Sequence, residues 1–275
     1  MLLGLNGATT MKANLVTDIQ VAAQAGYDYL EIWTEKLDDF LQHNSIYKLK
    51  EMLDESNLKP LSVNSLDDFT FQPEAKFQEI QQRCAVLCER AMHLNCHCLV
   101  VCPSPLPSRE VTREEVKRET TEKLQILLRT SKSYGVGLAF EFLGEPIYSV
   151  KDLAFCNEIV EEINDPSLGL VIDVFHFYIG GSTLDSIKRV DPGKLFIVHL
   201  NDAEDLPKDS LKDKHRLLPG EGILPLRDIL SEVKRIGYQG PYSIELFRPE
   251  YWEWDHSRLA IEAKKRMTTI LTSLD

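Results

Sequence analysis

The sequence predicts a single (β/α)8 barrel, an α/β fold, as one domain over residues 1–275. Three observations predict it. Eight short apolar runs, rich in branched residues, alternate with eight segments of helical pattern. The last four runs each close on an acid or an imidazole, as barrel strands do where they deliver side chains to a shared mouth. No Gly-x-Gly-x-x-Gly turn follows the first run, as a doubly wound dinucleotide-binding sheet would need. A length of 275 residues, 43% of them hydrophobic, suits one barrel or two small domains. With no linker, low-complexity tract or repeat in the chain, one barrel is preferred.

The first strand is expected at 2–6 and the first helix at 14–25, stopped at Gly26. A second strand over 27–33 leads into a helical stretch over 37–56, with Asn44 and Ser45 as a break or cap. The third strand spans 59–65. Residues 74–93 carry apolar side chains at helical spacing without glycine or proline. The fourth strand, 96–102, is cut off by Pro103, Pro105 and Pro107. A long charged helix follows at 112–134, ended by Gly135. Strands at 136–141, 168–173, 194–200 and 242–246 then alternate with helices near 150–163, 184–190, 226–236 and 258–274. A long polar loop separates residue 200 from the helix at 226.

Composition narrows the classes of function. The net charge of −12 disfavours a nucleic-acid partner, whose binders concentrate Lys and Arg. No apolar run approaches the roughly 18 residues of a membrane span. The opening Met-Leu-Leu-Gly-Leu-Asn lacks a basic secretory n-region, so a cytoplasmic location is expected. Six cysteines without a CxxC pair are expected to be buried free thiols. Cys96, Cys98 and Cys102 would share one face of a regular strand.

The candidate site starts from Leu168-Gly-Leu-Val-Ile-Asp-Val-Phe-His176. A carboxylate ending a buried strand costs free energy unless a positive group meets it, so Asp173 needs a partner. Val136-Gly-Leu-Ala-Phe-Glu141, Leu195-Phe-Ile-Val-His199 and Gly240-Pro-Tyr-Ser-Ile-Glu245 end in the same manner. Any one such residue is ordinarily a helix cap or an ion pair. Four on consecutive strands converge on one point, and Glu141, Asp173, His199 and Glu245 form an oxygen-rich donor set for one divalent cation. Manganese, zinc, cobalt and magnesium all accept it. His176 could orient a substrate, stand behind the metal ligands or cap a helix, and it is expected in a loop. Arg216, in a loop with two glycines and a proline, could pair with substrate oxygens or form a surface ion pair. Glu31 and Asn64, at the ends of strands two and three, are weaker candidates for hydroxyl recognition. The aromatic residues at 251–254 are a candidate pocket wall or homo-oligomer contact.

These residues carry a resemblance to the xylose-isomerase-like barrel superfamily of sugar isomerases, ketose 3-epimerases and endonuclease IV. It runs nearly end to end, through Gly26-Tyr-Asp-Tyr-Leu-Glu-Ile32, Ala139-Phe-Glu-Phe142, Gly169-Leu-Val-Ile-Asp173 with Phe175-His176, Arg216-Leu-Leu-Pro-Gly-Glu-Gly222 and Ser243-Ile-Glu-Leu-Phe-Arg-Pro-Glu-Tyr251. The resemblance implies that Glu141, Asp173, His199 and Glu245 bind one divalent metal. It implies substrate contact by His176 and Arg216, and proton transfer by Glu141 or Glu245. The activity so implied is an isomerase moving a carbonyl between adjacent carbons of a small polyol or keto-sugar, through an enediolate. Ketose 3-epimerase, hydroxypyruvate isomerase and a cyclic keto-acid dehydratase use the same ligands and stay open. Endonuclease IV would need further strand-end histidines, yet strands three and four end in Asn64-Ser65 and Cys102-Pro103. A metal-bearing barrel without turnover is the non-catalytic alternative.

Overall fold

The structure, a computed structural model, describes residues 1–274. Strands β1 (Leu3–Asn6), β2 (Tyr29–Trp33), β3 (Lys59–Leu66), β4 (Cys98–Val101), β5 (Gly137–Glu141), β6 (Leu168–Asp173), β7 (Leu195–Leu200) and β8 (Tyr242–Ile244) pair in parallel. They close into a barrel in the order β1-β8-β7-β6-β5-β4-β3-β2, the expected (β/α)8 architecture. Helices α1 (Leu15–Ala25), α2 (Thr34–Leu41), α3 (Ile46–Glu55), α4 (Glu74–His93), α5 (Arg113–Lys132) and α6 (Leu153–Ile163) follow the first five strands. Short α7 (Val174–Ile179) and α8 (Leu184–Ile187) follow β6. Then come α9 (Leu226–Arg235), α10 (Pro249–Trp252) and α11 (His256–Thr272). Among the described residues, no helix is long and apolar enough to cross a membrane.

Alternation along the strands builds the site. Val100, Ala139, Val171 and Ile197 pack together inside the barrel with Cys98 and Cys102. Two residues further along three of those strands, on the same face, stand Glu141, Asp173 and His199. Asp173 and His199 are register partners, and Ser243 of β8 is the register partner of His199 on its other side. The apolar layer is thus a floor and the polar residues a ring above it. Gly169 keeps the floor open to Phe196, because a Cβ at that position would lie 2.4 Å from the phenyl ring.

Some local expectations change. His176 lies on α7, not in a loop: the Asp173 carboxylate accepts from the His176 backbone N–H at 2.9 Å and caps that helix. The 37–56 stretch is two helices, starting at Thr34 and divided before Ser45, which caps α3. Cys96 precedes β4 and packs in the outer core, apart from Cys98 and Cys102. The six cysteines are free and buried, as expected. The loop after β7 contains a two-residue antiparallel ribbon, Asp202–Ala203 against Arg216–Leu217.

A buried ion pair secures the β1–α1 connection at the mouth. Lys36 of α2 donates to Asp18 of α1 at 2.8 and 3.0 Å, and to the carbonyls of Gly7 and Thr10 at 2.9 and 2.8 Å. Burial outweighs Lys36 and pushes the Asp18 carboxyl up to about 6. Lys36→Met strands that carboxylate, so at pH 8 it should lower unfolding free energy by about 3–5 kcal/mol, read by urea denaturation. Combining it with Asp18→Leu should recover most of the loss; equal stability of the single variant and wild type would contradict this role.

Candidate metal centre

Glu141 and Asp173 end β5 and β6, His199 lies next to last in β7, and Glu245 directly follows β8. One donor atom from each lies within 4.8 Å of all the others. The Nδ1 atom of His199 is 3.1 Å from Glu141 Oε1, 3.3 Å from Glu245 Oε2 and 3.9 Å from Asp173 Oδ2. All four side chains are buried. The four strand-end residues of the sequence analysis therefore do meet.

Charge tests whether a cation fits. Glu31, Glu141, Asp173 and Glu245 are four buried carboxylates, faced by the guanidinium of Arg216 and the imidazole of His199. With His199 neutral, as a metal ligand must be, that dry cluster is short of positive charge. Three carboxylate oxygens and an imidazole nitrogen converging on one point are suitable donors for zinc, manganese or cobalt. The residues fit a divalent ion.

The candidate ligands differ in how firmly they are held from behind. Asp173 Oδ2 accepts from Arg216 Nη1 at 2.6 Å and from Asn201 Nδ2 at 3.0 Å. Burial raises the Asp173 carboxyl, but Arg216, His176 and His199 outweigh it and leave it at about 2. Asp173 has found its positive partner. Glu245 Oε1 accepts from Asn6 at 2.9 Å, while its Oε2 lies 3.1 Å from Arg216 Nη1. Glu141 is more loosely held, with the Cys102 sulfur 3.9 Å from its Oε2. Burial, only partly offset by His199, pushes Glu141 up to about 8. Burial would lower the His199 imidazole, but Glu245, Glu31 and Glu141 together raise it well above its ordinary value.

A cavity of about 220 Å³ opens over Glu141 and Glu245, and Asn64, His176 and Arg216 also line it. Arg216 is fully buried and its nitrogens face protein acceptors. Nη1 donates to Asp173 and Glu245, Nε and Nη2 donate to Asp213, and Nη2 lies 3.1 Å from His176 Nε2. Phe175 and Phe247 flank its guanidinium at 4.9 and 5.1 Å. Burial lowers the His176 pKa and favours its neutral form. Glu31 is fully buried behind His199, 3.0 Å from Nε2, and is not part of the cavity wall.

Sequence reasoning missed Asn6, Asn201, Asp202 and Asp213. Asn201-Asp202 directly follows the β7 histidine-containing run, a signal that was available. Asp202 accepts from the backbone N–H groups of Ala203, Gly220 and Leu224, each at 2.9 Å, and so folds the loop that delivers Arg216. Gly222 is needed there because a Cβ would meet the Ala203 carbonyl at 2.0 Å. Asp67, Asp68 and Tyr148 also line the cavity.

The raised affinities of Glu141 and His199 for protons set a direction for metal binding. Below about pH 8 metal-free Glu141 retains a proton, and the carboxylates around His199 strengthen its hold on one, so the cation must displace both. Zinc affinity should therefore rise with pH up to about 8, with proton release on binding, as measured by calorimetry in buffers of different ionisation enthalpy. Asp173→Asn should weaken zinc binding by at least about 10-fold. A pH-independent affinity would contradict this donor set.

Comparison with known proteins agrees with the geometry. The family described as xylose isomerase-like TIM barrel matches residues 19–269. Inosose isomerase of Halalkalibacterium halodurans is 37% identical, covering 99% of this chain and 97% of its own. Inosose isomerase of Bacillus subtilis is 36% identical over 99% and 98% of the two chains. The crystal structure of IOLI protein with a binding zinc atom superposes with a TM-score of 0.96 at 35% identity, covering 100% of this chain and 99% of that one. From its barrel, its strand-end donor set and this similarity, the chain belongs to the xylose isomerase-like TIM barrel family.

Proposed function

We propose that this chain is a divalent-metal-dependent inosose isomerase that converts 2-keto-myo-inositol to its 1-keto isomer in inositol catabolism. The observation that carries the choice of substrate is the cavity over the donor cluster. At about 220 Å³ it is smaller than the roughly 300–1,000 Å³ of pockets for drug-sized ligands, which favours one six-carbon ring. Arg216 is its only Lys or Arg, and that guanidinium is committed to Asp173, Glu245, Asp213 and His176. The remaining charged wall is acidic, with Asp67, Asp68 and Asp213. A substrate carboxylate or phosphate would meet no free Lys or Arg there, which argues against hydroxypyruvate, cyclic keto acids and nucleic acid. A neutral polyol suits hydroxyl-accepting carboxylates.

Glu141, Asp173, His199 and Glu245 would hold the ion, whose chemistry when bound is Lewis acidity toward a carbonyl and its neighbouring hydroxyl. Glu141 is the better-placed base of the two glutamates. It lines the cavity and has one carboxylate oxygen with only the Cys102 thiol nearby. That oxygen takes the proton from the hydroxyl-bearing carbon beside the ketone, and the C–H electrons flow toward the carbonyl oxygen. The proton returns to the former carbonyl carbon, while a hydroxyl proton moves to the former carbonyl oxygen. Ketone and alcohol have then exchanged places. Glu245, fixed by Arg216 and Asn6, holds its position through the exchange. His176, kept neutral, and Asn64 stand on the cavity wall to receive ring hydroxyls. The partner is thus a small molecule. The 251–254 segment, the candidate subunit contact, is engaged within the chain, where Tyr251 and Trp254 pack edge to face at 5.0 Å.

Zinc- or manganese-loaded protein incubated with 2-keto-myo-inositol in D2O should yield the 1-keto isomer by NMR, with solvent deuterium entering at the reacting carbons. Glu141→Gln, assayed at a zinc concentration that restores full occupancy, should lower kcat by about 10²–10⁴-fold, and a chelator should abolish turnover. Hydroxypyruvate should remain unchanged. No conversion and no deuterium uptake, with bound metal verified, would sink the inosose assignment.

A further inference from the structure

Glu31 is a fully buried carboxylate that the proposed chemistry does not use. Its surroundings form a line across the barrel. Asn6, Glu31 and Ser62 are register partners on β1, β2 and β3. Ser62 Oγ donates to Glu31 Oε2 at 2.6 Å, and Asn6 Nδ2 donates to Oε1 at 3.2 Å. The side-chain oxygen of Asn6 is itself fixed by the backbone N–H of Ala8 at 2.9 Å. Both oxygens of Glu31 are thus anchored, and Oε1 lies 3.0 Å from Nε2 of His199, a buried ring nitrogen that has no aligned hydrogen-bond partner. The opposite ring nitrogen, Nδ1, faces Glu141, Asp173 and Glu245.

An imidazole can present either nitrogen to a cation, and the hydrogen bond made by the other nitrogen decides which. We propose that Glu31 is a positioning residue that gives the orphaned Nε2–H of His199 its acceptor when Nδ1 takes the metal, and so selects that tautomer. The inference rests on the metal-centre reading above and adds to it the tautomer and the residue that sets it. A carboxylate at position 31 supplies more than an acceptor, because its charge makes the imidazole a stronger donor to the cation. Asn6 extends the arrangement. Its amide nitrogen also donates to Glu245 Oε1 at 2.9 Å, so one side chain aligns the histidine's support and a second ligand together.

The test reads metal and imidazole, independently of turnover. In zinc-loaded protein labelled with 15N-histidine, long-range proton–nitrogen correlation should show His199 protonated at Nε2 and metal-bound at Nδ1. Zinc affinity, measured by competition with a chromophoric chelator, should weaken about 10–100-fold in Glu31→Ala, and Glu31→Gln, which keeps an acceptor, should restore most of it. If the alanine variant fails to fold, the glutamine variant decides: a shifted Nε2–H resonance with a few-fold affinity loss supports the role. Wild-type affinity and an unchanged His199 resonance in that variant overturn it. A raised KM with unchanged zinc affinity also overturns it, because Glu31 would then be a substrate group. Wild-type protein that binds no zinc would instead remove the metal centre itself, and this proposal with it.

Discussion

The mutual repulsion of Glu141, Asp173 and Glu245 is the constraint around which the mouth of this barrel is arranged. Their donor atoms converge within 4.8 Å, together with His199, and all four side chains are buried. Like charges so placed are tolerated only with positive charge among them. Arg216 supplies part of it and a divalent cation suits the remainder. The loop after β7 is built to that end. Asp202 gathers three backbone N–H groups, Gly222 lies against the Ala203 backbone, and Asp213 grips the guanidinium from its outer side. Arg216 thereby reaches Asp173 and Glu245 across the mouth.

The same arrangement explains how one ligand ring can hold groups of different character. Glu245 is fixed by an arginine and an asparagine. Glu141 faces the cavity with little to hold its second oxygen, and burial leaves it ready to carry a proton. Two carboxylates of identical chemistry are thus held differently, one anchored on both oxygens and the other left with only a thiol near its second. The commitment of Arg216 to protein acceptors leaves an acidic wall over this pair, suited to hydroxyl groups.

Much of this was legible in the chain because barrel strands are written plainly. Leu168-Gly-Leu-Val-Ile-Asp173 is apolar on both faces until its last residue, and the same ending on β5, β7 and β8 identifies the ligand ring without any contact being known. The 112–134 helix was legible from its charge pattern and closing glycine, although its ends shift by one or two residues. What was not legible depends on contacts between distant segments. Val174-Phe-His-Phe-Tyr-Ile179 shows no amphipathic period, and it is helical because the Asp173 side chain caps it. Glu31 read as a group for substrate hydroxyls because no sequence pattern announces that β2 faces His199 across the barrel. Arg216 read as a substrate donor because its acceptors, Asp173 and Glu245, lie 43 and 29 residues away.

The central claim is that Glu141, Asp173, His199 and Glu245 form the metal centre. X-ray absorption at the zinc edge of the stoichiometrically loaded protein tests it most directly. The account predicts a first shell of oxygen and nitrogen only, near 2.0–2.2 Å, with imidazole multiple scattering from one histidine that disappears in His199→Ala. A sulfur shell near 2.3 Å, placing the metal on the interior cysteines Cys98 and Cys102, or a spectrum unchanged by His199→Ala, would contradict it.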